Sequence, residues 1–489
     1  MRTRRLAHLS AVIVMAALAL PCLLAAQEDD KSLTPTTRTV TGTEIVHYKN
    51  GPSPVDLSAV TVAAYVPNGS GGYNVISGTG TSAGTFSISN VPSGFYLLQL
   101  GSSYLVTSNT VVDEDSSWDL RSNGVVADSS TTLTFDLANL DSWQSTDVFE
   151  MVCPNNSAFE EYDGTIGETT FAGTFPYDSV ITADLSDASQ GDRYVILQLS
   201  THTIGGLPFT SAARAFFPPN FTQAQGSDTQ ISGTLATLPQ TYEFEANVNG
   251  AELTAQALAA NPNATLVGTN FVLDAYPGSV AKGERTATPD LVGYNLSFFT
   301  AGPNITSNRD FGKVSYGNPF PATWPLFDIY FWTAMTNFLA PGATNSIPLF
   351  TSVEGYNTAL PTSTSPIRPL VGVVTSPTIN GRNFFANQTR VGLTPTLKWS
   401  PPSVGKATFY DVKIIQLSDV GGNTVETSVT TVRTQNRGLT IPQGLLSAGQ
   451  GYAFVIRSWY IPGLNFAKTP FGSGPVSAFT DVISGLMQP

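Results

Sequence analysis

The chain has 489 residues and a formal charge of −13, but only 12% of its residues are charged, about half the share usual in soluble domains. Its 41% hydrophobic content excludes a charge-rich disordered chain, and 43 Gly with 33 Pro favour short strands over long helices. The acidic balance repels phosphate backbones, so nucleic acid is not expected as a partner. The length predicts three or four domains.

Residues 1–26 have the pattern of an export signal. Arg2, Arg4 and Arg5 precede an apolar run from Ala11 to Leu20, and the small residues Ala25 and Ala26 predict cleavage before Gln27. An uncleaved anchor is the alternative, because residues 6–26 are about long enough to span a bilayer. No later segment has that length and composition. We therefore expect a secreted or cell-surface protein with no transmembrane segment after signal cleavage.

Cleavage changes both the charge and the cysteine count. The three lost arginines take the charge from −13 to −16, and Cys22 leaves with the signal, so that Cys153 is the single cysteine of the mature chain. An intramolecular disulfide is then impossible even in an oxidising compartment. We expect Cys153 to be a buried small hydrophobe. Residues 27–37 have no apolar period and are predicted to be a linker.

The alternation in residues 84–100 predicts a half-buried antiparallel hairpin. Phe86 and Ile88 share one face, residues 92–94 turn the chain, and Tyr96 and Leu98 return on an equivalent face. The series that carries a family resemblance is Gly84, Phe86, Ile88, Asn90-Val91-Pro92, Gly94, Tyr96 and Leu98. It resembles the carboxypeptidase regulatory-like, or prealbumin-like, β-sandwich domain over residues 38–125. The resemblance implies an accessory or binding module without catalytic machinery.

The C-terminal segment carries a second resemblance, after a Pro-, Ser- and Thr-rich linker at residues 361–369. An alternating stretch leads to Trp399, and a later strand places Tyr410, Val412 and Ile414 on one face. Leu446 precedes Tyr452 by six residues, and Phe454 and Ile456 continue the alternation. These landmarks are similar to those of a fibronectin type III domain, over residues 370–485. The resemblance implies that Trp399 is core and that Leu446 and Tyr452 close the sandwich.

The middle of the chain matches no family that we recognise. Strand-like runs and turns recur at the spacing of a β-sandwich, and we predict two β domains, 126–248 and 249–360, with one large sandwich as the alternative. Residues 251–260 are Ala-rich and predict one short helix that ends at Asn261-Pro262. The sequence as a whole predicts an all-β fold of tandem antiparallel β-sandwiches.

Two clusters are candidate binding residues. Trp324, Tyr330 and Trp332 could form an aromatic platform for stacking sugar rings, although the nearly continuous apolar run 327–332 equally predicts a buried strand. Asp113, Asp115 and Asp119 offer the hard oxygen ligands that calcium prefers, with a solvated acidic loop as the alternative. No catalytic residue and no other cofactor is predicted.

These features predict an exported, non-catalytic protein for extracellular binding, adhesion or structural spacing, with a glycan or a surface protein as its partner. The alternative is a secreted hydrolase that acts on polysaccharide through a catalytic middle region. That alternative requires two acids between Glu150 and Asp328 to line one cleft. A third possibility is assembly, in which exposed strand edges pair between copies of the chain and Cys153 links them.

Overall fold

The computed structural model describes residues 36–48, 51–68, 72–117, 130–153, 158–177, 185–276, 294–300, 305–467, 470–472, 474 and 476–489. The predicted export signal and Asp119 lie outside these ranges. The described residues form β-strands with one α-helix and one short 3-10 helix, Ala188–Gln190. The predicted all-β fold is thus confirmed. Among the described residues, no helix has the length and apolar character needed to cross a membrane.

The first β-sandwich is built from two small sheets. Its strands are β1 (Thr37–Tyr48), β2 (Gly51–Pro54), β3 (Val62–Pro67), β4 (Tyr73–Ser77), β5 (Thr79–Gly80), β6 (Thr85–Pro92), β7 (Tyr96–Leu100), β8 (Ser103–Thr107) and β9 (Glu114–Ser117). One sheet has the order β2-β1-β6-β5, with β9 also paired to β1, and the other has the order β4-β3-β7-β8. The alternating side chains of Phe86, Ile88 and Leu98 meet between the sheets and are buried.

The predicted hairpin between residues 86 and 100 is wrong. β6 pairs with β1 and β5, whereas β7 pairs with β3 and β8, so the two strands belong to opposite sheets of the sandwich. Gly94 has a φ of +116°, a conformation that favours glycine, in the turn that carries the chain from one sheet to the other. Both strands still bury the predicted side chains, because each turns its apolar face to the shared core.

The middle region contributes fourteen strands and the helix. The strands before the helix are β10 (Thr132–Ala138), β11 (Val148–Cys153), β12 (Ala158–Tyr162), β13 (Thr170–Pro176), β14 (Val195–Ile204), β15 (Leu207–Phe216), β16 (Asp228–Thr234), β17 (Ala236–Thr237) and β18 (Tyr242–Asn249). Those after it are β19 (Thr265–Ala275), β20 (Tyr294–Thr300), β21 (Asn308–Tyr316), β22 (Leu326–Phe338) and β23 (Ile347–Asn357). Cys153 lies at the end of β11 and is fully buried, as predicted. A link between copies of the chain through Cys153 is contradicted, because a fully buried thiol is not accessible to a second molecule.

The helix α1 (Gly250–Leu258) forms where the Ala-rich segment predicts it. The side-chain oxygen of Asn249 caps its first turn by accepting the N–H of Glu252 at 3.3 Å. Leu253 and Ala257 lie one turn apart and pack into the core beneath the helix. The helix ends before Asn261-Pro262, since proline disfavours helical backbone in the residue before it.

The C-terminal region forms the last sandwich. Its strands are β24 (Thr375–Ile379), β25 (Arg382–Asn383), β26 (Gln388–Thr389), β27 (Thr396–Ser400), β28 (Phe409–Val420), β29 (Asn423–Thr434), β30 (Gly438–Thr440), β31 (Gly451–Tyr460), β32 (Ser477–Ile483) and β33 (Met487–Gln488). A sheet of order β25-β24-β27-β30 covers the apolar face of the β28, β29, β31 and β32 layer. Trp399, Tyr410, Val412 and Ile414 are buried between them, as predicted.

One sheet of fifteen strands extends through the middle and C-terminal regions. Its main path is β12-β11-β14-β15-β20-β19-β22-β23-β32-β31-β28-β29. The β23 to β32 pairing, from Val353 with Thr480 to Tyr356 with Ser477, joins the two regions. Within the same sheet, β15 pairs with β20, Thr210 with Phe298 and Ser211 with Ser297, which joins strands on the two sides of residue 248. Backbone hydrogen bonds therefore connect strands on both sides of the boundaries predicted at 248 and at 361–369.

The first sandwich packs against the last one. The Tyr73 hydroxyl donates to the Thr440 carbonyl at 2.9 Å, and the Thr430 hydroxyl donates to the Ser102 carbonyl. Buried residues of both sandwiches belong to one continuous apolar cluster. At the other end of β29, the Thr424 N–H donates to the Asn345 carbonyl at 3.0 Å. The outer edge of β29 is thus covered at both of its ends.

Candidate functional site

Two of the three residues of the predicted aromatic platform lie in the core, and the third is half-buried. Tyr330 and Trp332 point to one face of β22 and are 1% and 0% exposed. The Tyr330 ring packs over Gly355, where a β-carbon would come within 2.4 Å of it, and its hydroxyl accepts the N–H of Leu370 at 3.0 Å. Trp324 is half-buried and stacks on Phe320 with the ring centres 5.0 Å apart. The two strand residues therefore present no ring face to a ligand.

The predicted calcium ligands are described only in part. Asp113 is exposed, and its Oδ1 accepts the Thr43 N–H at 3.1 Å and the Thr43 hydroxyl at 2.8 Å. Asp115 lies in β9, opposite Ile45 of β1, and Asp119 falls outside the described residues. Among the described side chains, no three metal-binding groups lie close enough to hold one ion. Calcium binding at this loop stays a prediction.

Two buried acids of the middle region lie on neighbouring strands. Burial raises the pKa of Asp274 and of Asp328 to about 8. Asp274 is paired with Phe327, whereas Asp328 is paired with Leu273, so the two carboxyl groups point to opposite faces of the sheet. They cannot flank one glycosidic bond, as a pair of catalytic acids must.

A group of charged side chains lies on one face of the fifteen-stranded sheet, in the C-terminal region. We call it the charged face, and its members are Glu354, Asp411, Lys413, Arg433, Arg457 and Asp481. Asp411 and Lys413 alternate in β28 with the core residues Tyr410 and Val412, so they point away from the sandwich interior. Cross-strand pairing then places Arg457 between Asp411 and Asp481.

Two arginines hold the two aspartates of the charged face. Arg433 donates to both oxygens of Asp411 at 2.9 and 3.0 Å, and Arg457 donates to both oxygens of Asp481 at 2.7 and 2.9 Å. Both aspartates are 3% exposed. Two parallel hydrogen bonds from one guanidinium to both oxygens of one carboxylate have the best geometry available to a buried ion pair. They compensate charges that would otherwise be very costly to bury.

Aromatic rings line the same face. The guanidinium of Arg433 lies 4.0 Å from the centre of the Phe409 ring, and that of Arg457 lies 3.4 Å from the centre of the Phe479 ring. Trp459 stacks on Phe409 and donates its indole N–H to Asp411 Oδ2 at 2.7 Å. Arg433 also donates to the Pro470 carbonyl at 3.0 Å, which fixes the neighbouring loop to the face.

Lys413 is the exception among the cations of the charged face. Among the described residues, the amine of Lys413 forms no hydrogen bond and no ion pair, in contrast to the two arginines of this face. The positive charge of Arg457, followed by burial, lowers the pKa of Lys413 from 10.5 to about 8, against the opposing charges of Asp481, Asp411 and Glu354. A fraction of this amine is therefore neutral near neutral pH.

Sequence reasoning missed the charged face. Asp411 and Lys413 alternate with apolar residues, the pattern of a strand whose polar face is in water. The sequence did contain one signal: three strands carry charged residues at positions that alternate with their core residues. These positions are 411 and 413, 457, and 481. The sequence does not give the order of the strands in the sheet, so it could not show that these positions are adjacent.

No protein-family model matches the chain, and no curated protein matches it. Among solved structures, a crystal structure of two B repeat units (B1B2) of the collagen binding protein (CNA) of Staphylococcus aureus matches at 10% sequence identity and a TM-score of 0.12. The match covers 92% of this chain and 100% of that chain. At this TM-score the likeness carries no argument, so the all-β fold rests on the strands and their pairing.

Proposed function

We propose that the protein is an exported, non-catalytic β-sandwich protein that acts outside the cell as a rigid spacer and binding scaffold. The observation that carries this proposal is the fifteen-stranded sheet, which continues through two of the predicted domain boundaries. A chain joined by backbone hydrogen bonds keeps a fixed distance and orientation between its parts. That property suits a spacer or an adhesion scaffold.

The local features of the two end sandwiches support the same proposal. Tyr452 is buried, and its hydroxyl accepts the N–H of Ser447 at 2.8 Å, which is the kind of bond that closes a fibronectin-type corner. Trp399 is 5% exposed and contacts Tyr410 edge-on. On this basis we infer that the C-terminal region is a fibronectin type III-like module. We infer that the first sandwich is a prealbumin-like module because Phe86, Ile88 and Leu98 of the resembling series are buried between its two sheets.

The test is a screen of purified residues 27–489 against arrayed glycans and extracellular proteins, run with calcium and with a chelator. A saturable partner supports the binding role, and loss of binding with the chelator supports calcium at Asp113, Asp115 and Asp119. Small-angle scattering in the same buffers measures rigidity, and we expect one compact population. A flexible chain of separate domains, or time-dependent release of a product from a polysaccharide, would overturn the proposal.

A further inference from the structure

Strand β4 is an open edge of the first sandwich. Among the described residues it pairs with β3 and with no other strand, and its central residue, Val75, is 55% exposed. The opposite edge of the same sheet, β8, is mostly buried, and the Thr430 hydroxyl of the last sandwich donates to the Ser102 carbonyl beside it. β4 is therefore the edge of this sheet that a further strand can reach.

The backbone of β4 has hydrogen-bonding groups that point out of the sheet. The Gly78 N–H donates to the Val62 carbonyl at 2.8 Å, which fixes the phase of the ladder between β3 and β4. Along an antiparallel strand, successive residues direct their N–H and C=O groups to opposite sides. The even-numbered residues of β4 therefore bond to β3, and the groups of Tyr73, Val75 and Ser77 point outward. These outward groups are what an added β-strand binds.

β4 lacks the features by which proteins protect an exposed strand edge. It contains no proline and no charged residue, and residues 57–112 as a whole contain no Asp, Glu, Lys, Arg or His. Each of the other edge strands of five or more residues that the structure describes has such protection. β8 is buried, β29 is covered at both ends, β13 ends on Pro176, and β12, β16, β18 and β21 carry acidic residues.

The uncharged segment favours a second copy of the chain as the partner. The chain is acidic, so two copies repel each other wherever their acidic groups meet. At β4 there is no charge to repel a second copy and none to attract a basic partner. The edge is also complementary to itself, because its outward groups at Tyr73, Val75 and Ser77 are arranged symmetrically about Val75.

From this geometry we propose that two copies of the chain associate through β4, antiparallel and about a two-fold axis at Val75. Val75 then lies opposite the partner's Val75, and Tyr73 lies opposite the partner's Ser77. The three outward residues of each copy form about six backbone hydrogen bonds across the axis, and the two four-stranded sheets join into one. The Tyr73 hydroxyl keeps its bond to the Thr440 carbonyl, because only the backbone of Tyr73 is used.

The symmetry and length of this contact determine how the association behaves. Each copy uses the same strand, so the contact closes at two copies and does not propagate. An edge of five residues buries little surface, which is typical of weak and reversible complexes. We therefore expect a monomer–dimer equilibrium with a dissociation constant of about 1–100 μM.

Sedimentation velocity of purified residues 27–489, in a reducing buffer and over about 1–300 μM protein, measures the association. The proposal requires a reversible dimer that dissociates on dilution. A chain that stays monomeric over the whole range would overturn it, and so would growth into species larger than a dimer.

Hydrogen exchange followed by peptide mass spectrometry locates the contact. The peptide that contains residues 73–77 should exchange more slowly at high than at low protein concentration, because its outward N–H groups become bonded in the dimer. The peptide that contains β8 is buried in both states and should exchange equally at both concentrations. Exchange at 73–77 that does not depend on concentration, in a sample that is dimeric, would overturn the proposal.

Two substitutions at Val75 separate this edge from other contacts. Val75→Glu places two like charges opposite each other and should weaken the dimer at least about tenfold. Val75→Pro removes an N–H that points away from β3, so it should weaken the dimer similarly while the β3 pairing remains. Val420→Glu makes the same charge change at a valine that is 59% exposed in the last sandwich, and should leave the dimer unchanged.

A dimer that both Val75 variants leave intact would place the contact elsewhere and contradict the proposal. The two measurements on the unmodified sequence decide it by themselves, even if a variant fails to fold. The outcome is independent of the spacer role proposed above, because small-angle scattering of a monomeric Val75 variant measures rigidity separately.

Discussion

At the scale of single residues, burial determines what the aromatic and charged side chains contribute. Trp332 is fully buried in β22, whereas Phe350 in the adjacent strand β23 is 55% exposed. The Arg433–Asp411 pair of the charged face is buried, while the Lys313–Glu243 pair lies in solvent. A buried ring or ion pair therefore contributes more to the free energy of unfolding than an exposed one. Substitutions at Trp332 and Phe350, and at Asp411 and Glu243, compare the buried and the exposed setting directly.

Trp332→Ala should lower the free energy of unfolding by about 3–5 kcal/mol, because it leaves a cavity in a well-packed core. Phe350→Ala, a matched change on the exposed side of the same sheet, should alter it by less than about 0.5 kcal/mol. Urea denaturation compares the stabilities of the two variants. Unfolding is monitored by far-ultraviolet circular dichroism, because this signal does not depend on the tryptophan that one variant lacks. Equal effects would mean that Trp332 does not lie in a well-packed core.

Asp411→Ala should destabilise the protein by about 3–5 kcal/mol, since it leaves the buried Arg433 guanidinium without its counter-ion. The control is Glu243→Ala, which removes an exposed ion pair with Lys313 and should cost much less, because solvent screens the attraction between the two charges. Both values come from denaturant unfolding at pH 7. A cost for Asp411→Ala as small as that of the control would show that water reaches the charged face freely.

At the scale of elements, alternation predicted which side chains are buried but not which strands pair. The core positions at 86, 88, 96 and 98 and at 410, 412 and 414 are buried as expected, because a period of two fixes the inner face of a strand. The partner of a strand depends on contacts distant in the sequence, so the hairpin at 86–100 was wrong and the charged face was invisible. The helix was predictable because its signals, alanine content and a following proline, are local.

The corner at Tyr452 provides a test at this scale. Tyr452→Phe removes the hydroxyl that accepts the Ser447 N–H and should lower the free energy of unfolding by about 1 kcal/mol. Tyr242→Phe, in which the ring is 40% exposed, serves as the control and should change stability little. Thermal unfolding of the two variants gives the comparison. If the two variants are equally stable, the hydrogen bond of the Tyr452 hydroxyl does not stabilise the last sandwich.

At the scale of the whole molecule, buried acids couple stability to pH. Burial, followed by the charge of Glu44, raises the pKa of Glu114 to about 8, and burial does the same for Asp274 and Asp328. These carboxyl groups are neutral in the folded protein and ionise readily when it unfolds. Their stabilising effect is complete below the ordinary carboxyl pKa and is lost as pH rises towards 8.

The free energy of unfolding should therefore decrease between pH 5 and pH 8, by up to about 1.4 kcal/mol per pH unit for each group. Denaturant unfolding at pH 5, 6, 7 and 8 measures the slope. Asp274→Asn keeps the size and neutrality of the protonated acid, so the slope of this variant should be shallower than that of the unmodified protein. Stability that increases over this range would contradict the assignment of neutral carboxyl groups to the interior.

The cover on β29 has a consequence for behaviour in concentrated solution. The exposed run between its two covered ends is only Val425–Ser428, and it includes the charged Glu426. A strand from another molecule would collide with Asn345 at one end and with the first sandwich at the other before it could add more than about four residues. We therefore expect that strands of other molecules do not add to this edge of the fifteen-stranded sheet, and that the edge contributes nothing to fibril formation.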